Sequence, residues 1–386
     1  MELNAILKEA VDRGASDVHL KRGLPPILRI HSALLPIESK QPLTREQMAH
    51  FVDLMLDDHR RKQFRERMQV DTAYGSDQFG RFRVNVFTQR EEPAIAMRLI
   101  PTRIRGIQEL HLPPIIEKLA SEPRGLILVT GTTGSGKSTT LAAMIGHINQ
   151  TTAQHIITIE DPIEYVHSDI QSIVSQREVG YDALSFADAL KASLRQDPDV
   201  ILVGEMRDLE TIETAVLAAE TGHLVMSTLH TLDARETITR IVSNFPDHQR
   251  EQIRLILANI IRGCLSQRLM PRADGAGLVP AVEVMLSTAR IRECIAVKEK
   301  TVEIRDAIGQ GHSTYGMQTF DQSLMSLFRK RLITYEEALS QASNPDDFAL
   351  KLRGVASASD RRWEDFDKEE AADAGADTDE LKIDRF

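Results

Sequence analysis

The chain has 386 residues, enough for two or three domains, and 42% of them are hydrophobic. The net charge of −10 argues against a nucleic-acid partner, because proteins that bind duplexes normally carry a basic face. The sequence contains no run of 18 or more apolar residues that could span a bilayer, and its acidic N-terminus does not resemble a signal peptide. Cys264 and Cys294 have no CxxC partner, which excludes a four-cysteine zinc site and fits a reducing cytosol. We expect both cysteines to be small buried hydrophobic residues.

Residues 1–100 are predicted to form a small α+β domain that begins with a helix over about 2–13. Extended pieces follow near 17–20 and 27–30. Thr44 and Gln47 form the capping box of a second helix, whose apolar residues recur at helical spacing.

The sequence GRFRVNVFTQR alternates strictly between apolar and polar residues, which predicts a half-buried strand. Phe82, Val84 and Val86 would face the core, while Arg81 and Arg83 would share the opposite face. A second strand near 94–99 carries Arg98.

Three prolines without a clear period mark residues 101–114 as the domain linker. From there to residue 354, unbroken apolar runs alternate with helical segments, which predicts an α/β domain with a mainly parallel sheet covered on both faces. After about residue 247 the pattern is mainly helical, with one strand pair near 279–286. Residues 355–386 are predicted to be a disordered acidic tail, since 357–386 alone contain eleven acids and five bases.

A phosphate-binding motif of the form GxxxxGK[ST] occupies Gly131, Thr132, Thr133, Gly134, Ser135, Gly136, Lys137 and Ser138, and Thr139 follows it. The glycines let the backbone turn its N–H groups toward phosphate oxygens, and the helix that starts near Gly136 adds its positive end. Lys137 can reach the β and γ phosphates, and Ser138 can ligate Mg²⁺. The motif lies between the strand LILVT and the helix TTLAAMIGHIN, which is the context that it requires.

Two further strands end in acids. Glu205 follows the apolar strand VILV, and the carboxyl end of a parallel strand faces the ligand, so Glu205 is predicted to hold Mg²⁺ or its water. The alternative is a helix cap. Glu160 and Glu164, in ITIEDPIE, are the candidates to orient and deprotonate the attacking water during triphosphate hydrolysis, with solvated loop charges as the alternative.

His230 and Thr228 end the next strand, in STLHT. Their position predicts that they sense the γ-phosphate from the same edge of the sheet. A lone histidine is more often structural, and His223 does not lie at a metal-ligand spacing from His230.

These four motifs, in this order, resemble the Walker A, Asp box, Walker B and His box of the secretion-type ATPases, which are RecA-like motors. They stand here as GTTGSGKST, ITIEDPIE, VILVGEMRD and STLHT. The resemblance extends from GASDVHL near the N-terminus to GMQTFDQ and covers about 350 residues. Within this superfamily the chain looks like the type IV pilus retraction, or twitching motility, ATPases.

The resemblance implies an N-terminal PAS-like α+β domain, a RecA-like ATPase domain with a helical C-terminal part, and ATP and Mg²⁺ as cofactors. It also implies a cytoplasmic homohexamer that is peripheral to the inner membrane. Its partners would be an inner-membrane pilus platform protein and a paralogous retraction ATPase, with no nucleic acid. Arg83 and Arg98 would reach the bound nucleotide, within one subunit or across a subunit boundary; a solvated strand face is the alternative.

Three alternatives stay open. GMQTFDQSL and ITYEEAL look more like the accessory kind of retraction motor, whereas GEMRDLETI looks more like the first kind, and ARIRECI matches the helix AIRNLIRE of the first kind only loosely. An extension or type II secretion ATPase is disfavoured because those relatives carry a further N-terminal domain and a four-cysteine zinc module. A strand-exchange recombinase is opposed by the acidic balance.

Overall fold

The computed structural model describes residues 2–76, 78–101 and 103–352, so the predicted acidic tail lies outside the described residues. The chain divides into two compact units. The first runs to Arg103 and includes Glu164–Val166, and the second contains Ile104–Ile163 and the residues from His167 onward.

The first unit is a six-stranded antiparallel sheet in the order β3-β2-β1-β6-β5-β4 with helices packed against it. Its helices are α1 (Leu3–Asp12), α2 (Arg45–Met55) and α3 (Asp58–Arg67), and its strands are β1 (Asp17–Lys21), β2 (Ile27–Ile30), β3 (Ala33–Pro36), β4 (Gln69–Ser76), β5 (Gly80–Gln89) and β6 (Glu92–Leu99). The predicted capping box at Thr44 and Gln47 is present, and Phe82, Val84 and Val86 are buried as the alternation predicts. Strand β4 was not predicted, because its pattern is broken by polar and small residues.

The second unit is built on a seven-stranded sheet in the order β13-β12-β7-β11-β10-β8-β9. Its strands are β7 (Gly125–Thr130), β8 (His155–Glu160), β9 (Ile173–Glu178), β10 (Val200–Val203), β11 (Leu224–Leu229), β12 (Ile261–Pro271) and β13 (Leu278–Leu286). Every pairing is parallel except that of β12 with β13. The predicted α/β class with a mainly parallel sheet is therefore confirmed. The polar edge strand β9 and the pairing of β12 with β7 were not predicted.

Helices cover both faces of this sheet and form the C-terminal part of the unit. They are α4 (Ile115–Ala120), α5 (Lys137–Thr151), α6 (Phe186–Ser193), α7 (Leu209–Glu220), α8 (Ala234–Ser243), α9 (Arg250–Ile260), α10 (Ala289–Ala296), α11 (Ile304–Gln310), α12 (His312–Tyr315), α13 (Phe320–Arg329), α14 (Tyr335–Gln341) and α15 (Pro345–Leu352). No helix within the described ranges combines the length and apolar character needed to cross a membrane.

The central strands are apolar throughout because each faces two cores. Leu126 and Leu128 of β7 pack into the core on one side of the sheet, and Ile127 and Val129 pack into the core on the other side. This arrangement fixes the strand register, since a slip of one residue would exchange the two faces.

The boundary between the units lies inside the segment predicted as a linker, 101–114. Residues from Ile104 onward belong to the second unit, and Ile107, Leu110 and Leu112 are buried in one of its cores. The prolines obscured this apolar spacing in the sequence. Cys264 and Cys294 are free and buried, and burial raises the pKa of Cys264 to about 12.

Gly125 and Gly222 form a matched pair for testing how closely the second unit is packed. Both have left-handed φ values, +119° and +116°, but an added Cβ would lie 2.5 Å from the Ile260 carbonyl oxygen at Gly125 and would meet nothing within 4 Å at Gly222. We expect Gly125→Ala to destabilise the unit by about 1–3 kcal/mol more than Gly222→Ala. Each kcal/mol of this difference should lower the Tm of Gly125→Ala by roughly a further 2–4 °C. Equal Tm values in thermal melts of the two variants would contradict this packing.

Candidate nucleotide site

The phosphate loop connects the carboxyl end of β7 to α5, which begins at Lys137. Gly131 has a φ of +140°, and a Cβ there would lie 2.5 Å from both the Gln267 carbonyl oxygen and the Ser135 hydroxyl. The N-cap residue of α5, Gly136, has a φ of +91° and offers no side-chain cap. Gly136 therefore caps no backbone N–H group at the start of α5 with a side chain, and a helix start of this kind can receive an anion.

The side chains of the loop fit a phosphate ligand. Lys137 is buried, and its Nζ donates hydrogen bonds to the carbonyl oxygens of Gly131 and Thr132, both at 2.9 Å, so the ammonium is held over the loop backbone. Ser135 Oγ is buried without a hydrogen-bond partner among the described residues. Thr132, Thr133 and Gly134 are exposed, while Ser138 and Thr139 are half-buried at the start of α5.

The order of the strands determines how the other predicted residues relate to this loop. Strand β11, which leads to His230, lies next to β7, and β10, which leads to Glu205, lies next to β11. With strands about 4.8 Å apart, the ends of β7 and β10 are separated by about 10 Å. The end of β11 lies between them.

Glu205 and His230 contact each other at this edge. His230 Nε2 lies 3.2 Å from Glu205 Oε1, and Arg207 Nε lies 2.8 Å from Glu205 Oε2. The Glu205 side chain is 18% exposed, whereas those of His230 and Arg207 are 43% and 64% exposed. The carboxylate is thus held from two sides and is not serving as a helix cap; Asp208 caps α7.

Thr228 and Ser227 hold the end of β11 against the turn after β10. The Thr228 hydroxyl donates to the Gly204 carbonyl oxygen at 2.7 Å, and the Ser227 hydroxyl donates to that of Val203 at 2.7 Å. The Thr228 hydroxyl, predicted as a phosphate sensor, therefore has a structural partner. His230 is the side chain of this motif that extends beyond the strand.

Glu160 lies at the end of β8, three strands from β7. Its Oε1 accepts hydrogen bonds from the Thr158 hydroxyl at 2.7 Å and from Gln176 Nε2 at 3.1 Å. Glu164 follows in the loop after β8 and belongs to the first compact unit. The structure thus brings Glu205 and His230 into contact, whereas Glu160 is held by neighbours on β8 and β9.

The predicted arginines lie on one face of the sheet in the first unit. Arg83 on β5 is directly opposite Arg98 on β6, and both are exposed. Arg98 is in turn opposite Asp17 on β1, and Arg98 Nε donates to Asp17 Oδ1 at 2.9 Å. Burial raises the pKa of Asp17, but hydrogen bonds from Ser16 and Arg98 outweigh it and lower that pKa overall.

A cavity of about 370 Å³ adjoins the phosphate loop, and the sequence analysis missed it. Gly136, Thr139 and Thr140 line one side of it, and the remaining lining residues are Arg105, Glu109, Leu110, His111, Leu112, Gln267, Leu269, Arg272, Ala276, Gly277, Leu278 and Pro280. Its size is at the lower end of the range for small-molecule sites. The lining comes from segments more than 150 residues apart in the chain, so no local motif could have indicated it.

Hydrogen bonds fix several of the polar side chains that line this cavity. Arg272 Nη1 lies 2.9 Å from His111 Nε2, and Arg272 also donates to Asp274. Gln267 Nε2 donates to the Thr140 hydroxyl at 2.8 Å, while the amide oxygen of Gln267 is buried without a partner among the described residues. Charged, polar and apolar side chains thus together line the cavity beside the phosphate loop.

Comparison with known proteins decides what kind of protein this is. The family model described as Type II/IV secretion system protein matches residues 1–310. The chain belongs to this family. It is 43% identical to the type IV pilus retraction ATPase PilT of Pseudomonas aeruginosa, over 90% of this chain and 100% of that protein. It is 41% identical to the type IV pilus ATPase PilU of the same organism, over 92% of each chain.

A solved structure agrees with the sequence comparison. The pilus retraction motor PilT with bound ADP superposes with a TM-score of 0.83 and 47% identity, covering 90% of this chain and 98% of that one. The protein is therefore a nucleotide-binding ATPase of the secretion family with the α/β fold of PilT.

Proposed function

We propose that this protein is an ATP-hydrolysing motor that powers the retraction of a type IV pilus. The observation that carries the proposal is a phosphate loop on the same sheet edge as the Glu205–His230 contact, in a chain similar to PilT over nearly its whole length. The motor works as a homohexamer in the cytoplasm, at the inner face of the membrane. Its partner there is an inner-membrane platform protein of the pilus.

The triphosphate of ATP binds to the loop Gly131–Ser138, with Lys137 against the β and γ phosphates. The reaction is mostly a matter of positioning and of neutralising charge on the transferred phosphoryl group, so the ammonium of Lys137 contributes in the transition state. The adenosine occupies the adjoining cavity, beside Gly136, Thr139 and Thr140.

Mg²⁺ suits this site, where it would supply charge neutralisation at the phosphates. Within the described ranges no group of three or more His, Cys, Asp or Glu side chains is placed to hold a metal. Mg²⁺ usually keeps several waters and takes one or two protein ligands beside substrate phosphates. The Ser138 hydroxyl and the Glu205 carboxylate, the latter through water, are the residues that would hold it.

The attacking water is oriented by an acid. Glu160, at the end of β8, and Glu164, in the loop after it, are the candidates, and the Glu160 carboxylate accepts hydrogen bonds from Thr158 and Gln176. His230 senses the γ-phosphate that is bound beside β7. Through its contact with Glu205, the position of the Glu205 carboxylate then depends on whether the γ-phosphate is present.

Substitutions at Lys137, Glu164 and Glu205 test the chemistry. We expect Lys137→Ala to abolish hydrolysis, and Glu164→Gln and Glu205→Gln to reduce turnover by about 10²–10⁴-fold while nucleotide still binds, because each removes a carboxylate without changing its size. Steady-state turnover and titration with a fluorescent ATP analogue measure the two effects. Glu210→Gln, at an exposed acid on α7 paired with Lys191, is the control. Turnover by Lys137→Ala at the rate of the unaltered protein would refute the site.

The pairing of Arg83 with Arg98 supports a role for both in binding an anion. Like charges directly opposite on neighbouring strands are unfavourable, and Asp17 contacts Arg98 and, at 3.9 Å, Arg29. The Asp17 carboxylate is therefore shared between the guanidiniums of Arg98 and Arg29, and Arg83 lies directly opposite Arg98. We propose that Arg83 and Arg98 approach the γ-phosphate of bound ATP as arginine fingers, which are worth roughly 10³–10⁵ in turnover elsewhere.

Mixing variants shows whether the arginines act between subunits. Arg83→Ala is the better probe, because Arg98→Ala also breaks the hydrogen bond to Asp17. We expect Arg83→Ala and Lys137→Ala to be inactive separately and to regain activity when subunits are mixed, if Arg83 acts across a subunit boundary. Arg90→Ala, in the turn between the same two strands, should hydrolyse ATP normally. Normal hydrolysis by Arg83→Ala alone would leave this face as a solvated one.

An accessory motor similar to PilU is the second candidate, favoured by 41% identity over 92% of both chains. Such a subunit would depend on a paralogous retraction ATPase as its partner. Lys137, Glu164 and Glu205 are all present, which favours turnover by this chain itself.

Deleting the gene and counting surface pili distinguishes these roles. Loss of a retraction motor should leave excess pili and abolish twitching motility, because assembly continues unopposed. A strain that has lost all of its pili would identify an extension motor. A deletion that weakens retraction only under load, with pilus number unchanged, would favour the accessory role.

A further inference from the structure

Three buried polar residues form a row across the sheet behind the phosphate loop. Thr130 on β7, Ser266 on β12 and Glu283 on β13 are in register, so their side chains lie on the same face. Thr130 and Ser266 are fully buried, and Glu283 is 4% exposed. The Thr130 hydroxyl donates to the Ser266 hydroxyl at 3.0 Å, and Thr130 directly precedes Gly131.

The far end of this row supports the helix that follows His230. Glu283 Oε1 accepts a hydrogen bond from the backbone N–H of Ala234, the first residue of α8, at 2.9 Å. A carboxylate is favoured there because the start of a helix carries partial positive charge and N–H groups without helical partners. The bond joins two positions that are 49 residues apart in the chain.

The loop between β11 and α8 is fixed by this bond together with local ones. Thr231 bonds to Thr237 through their hydroxyls at 2.7 Å, and the N–H of Leu232 donates to the Glu236 carboxylate at 2.8 Å. Both local bonds tie the loop to α8 itself. The bond from Ala234 to Glu283 ties the start of α8 to the sheet, and thereby sets where the loop carries His230.

Burial makes Glu283 a costly residue at this position. Burial and the charge of Asp233 raise the pKa of Glu283 to about 7, against the lowering effects of the Ala234 N–H, Arg305 and Arg268. An apolar residue of similar size would avoid the desolvation cost. What this side chain supplies in return is an oxygen acceptor for the Ala234 N–H.

We propose that Glu283 is a positioning residue for hydrolysis, which holds the start of α8 so that His230 stays against Glu205. The inference rests on the proposed function, in that His230 acts during turnover. Glu283 itself touches neither nucleotide nor water in this role. A purely structural Glu283 would affect thermal stability without a selective effect on turnover.

Three substitutions separate these roles. Glu283→Ala removes the acceptor, and we expect a 10–100-fold loss of kcat with KM for ATP changed less than threefold, since small displacements of reacting groups are costly. Glu283→Asp keeps the charge but is one methylene shorter, and should also lose turnover. Glu283→Gln keeps an oxygen at the same distance, and should retain turnover within threefold of the unaltered protein.

The matched control is Ser323→Ala. Ser323 is buried, and its hydroxyl accepts a hydrogen bond from the backbone N–H of Val282, the neighbour of Glu283 on β13, at 3.0 Å. Its removal deletes a buried acceptor on α13 for a hydrogen bond from this strand, away from α8. We expect a lower Tm and normal kcat.

A double-mutant cycle that combines the Glu283 substitutions with His230→Ala, measured on the assembled full-length protein, tests whether Glu283 acts through His230. If Glu283 acts through His230, the double variant should be no slower than His230→Ala alone. Losses that multiply, or normal kcat in Glu283→Asp, would overturn the inference while leaving the proposed function intact. Normal hydrolysis by Lys137→Ala would instead refute the proposed function. If Glu283→Ala does not fold, Glu283→Asp carries the cycle.

Discussion

The order of four parallel strands is the constraint on which the site depends. Hydrogen bonding places β7, β11, β10 and β8 side by side, so that the phosphate loop, His230, Glu205 and Glu160 follow neighbouring strands at one edge. The pairing is maintained by apolar side chains on both faces of each strand, because any slip would bury the wrong set. The chemistry at the edge is therefore specified by residues that never touch nucleotide.

Electrostatics at this edge oppose the charge of the whole protein. The chain carries −10, and ATP is itself an anion, so binding must rely on local fields. The start of α5 and the ammonium of Lys137, held 2.9 Å from two carbonyl oxygens, supply such a field. Glu205, at the same edge, contacts His230 and the guanidinium of Arg207, so the charge of its carboxylate is offset locally.

The features that sequence predicted are those encoded by contiguous residues. The loop Gly131–Ser138, the apolar strand before Glu205 and the alternation around Arg83 each show in a short window, because backbone geometry and burial repeat at fixed periods. The cavity beside Gly136 could not be predicted from the sequence, since its walls come from segments near 105–112 and 267–280 that meet only in the folded unit. Likewise, Ile107 and Leu110 were read as linker because burial depends on what packs over them.

The strand order and register also explain how far Glu205 lies from the phosphate loop, which no motif could indicate. Its distance from the phosphate loop is set by β11, which lies between the two strands and whose place in the sheet no motif indicated. Thr130 is in register with Leu229, and Ser227 with Val203, so the end of β11 is bonded to both neighbours. A shift of the phosphate loop can thus reach Glu205 through that strand end. His230 stands at this point, and under the proposed function its contact with Glu205 is where the state of the phosphates and the position of the Glu205 carboxylate depend on each other.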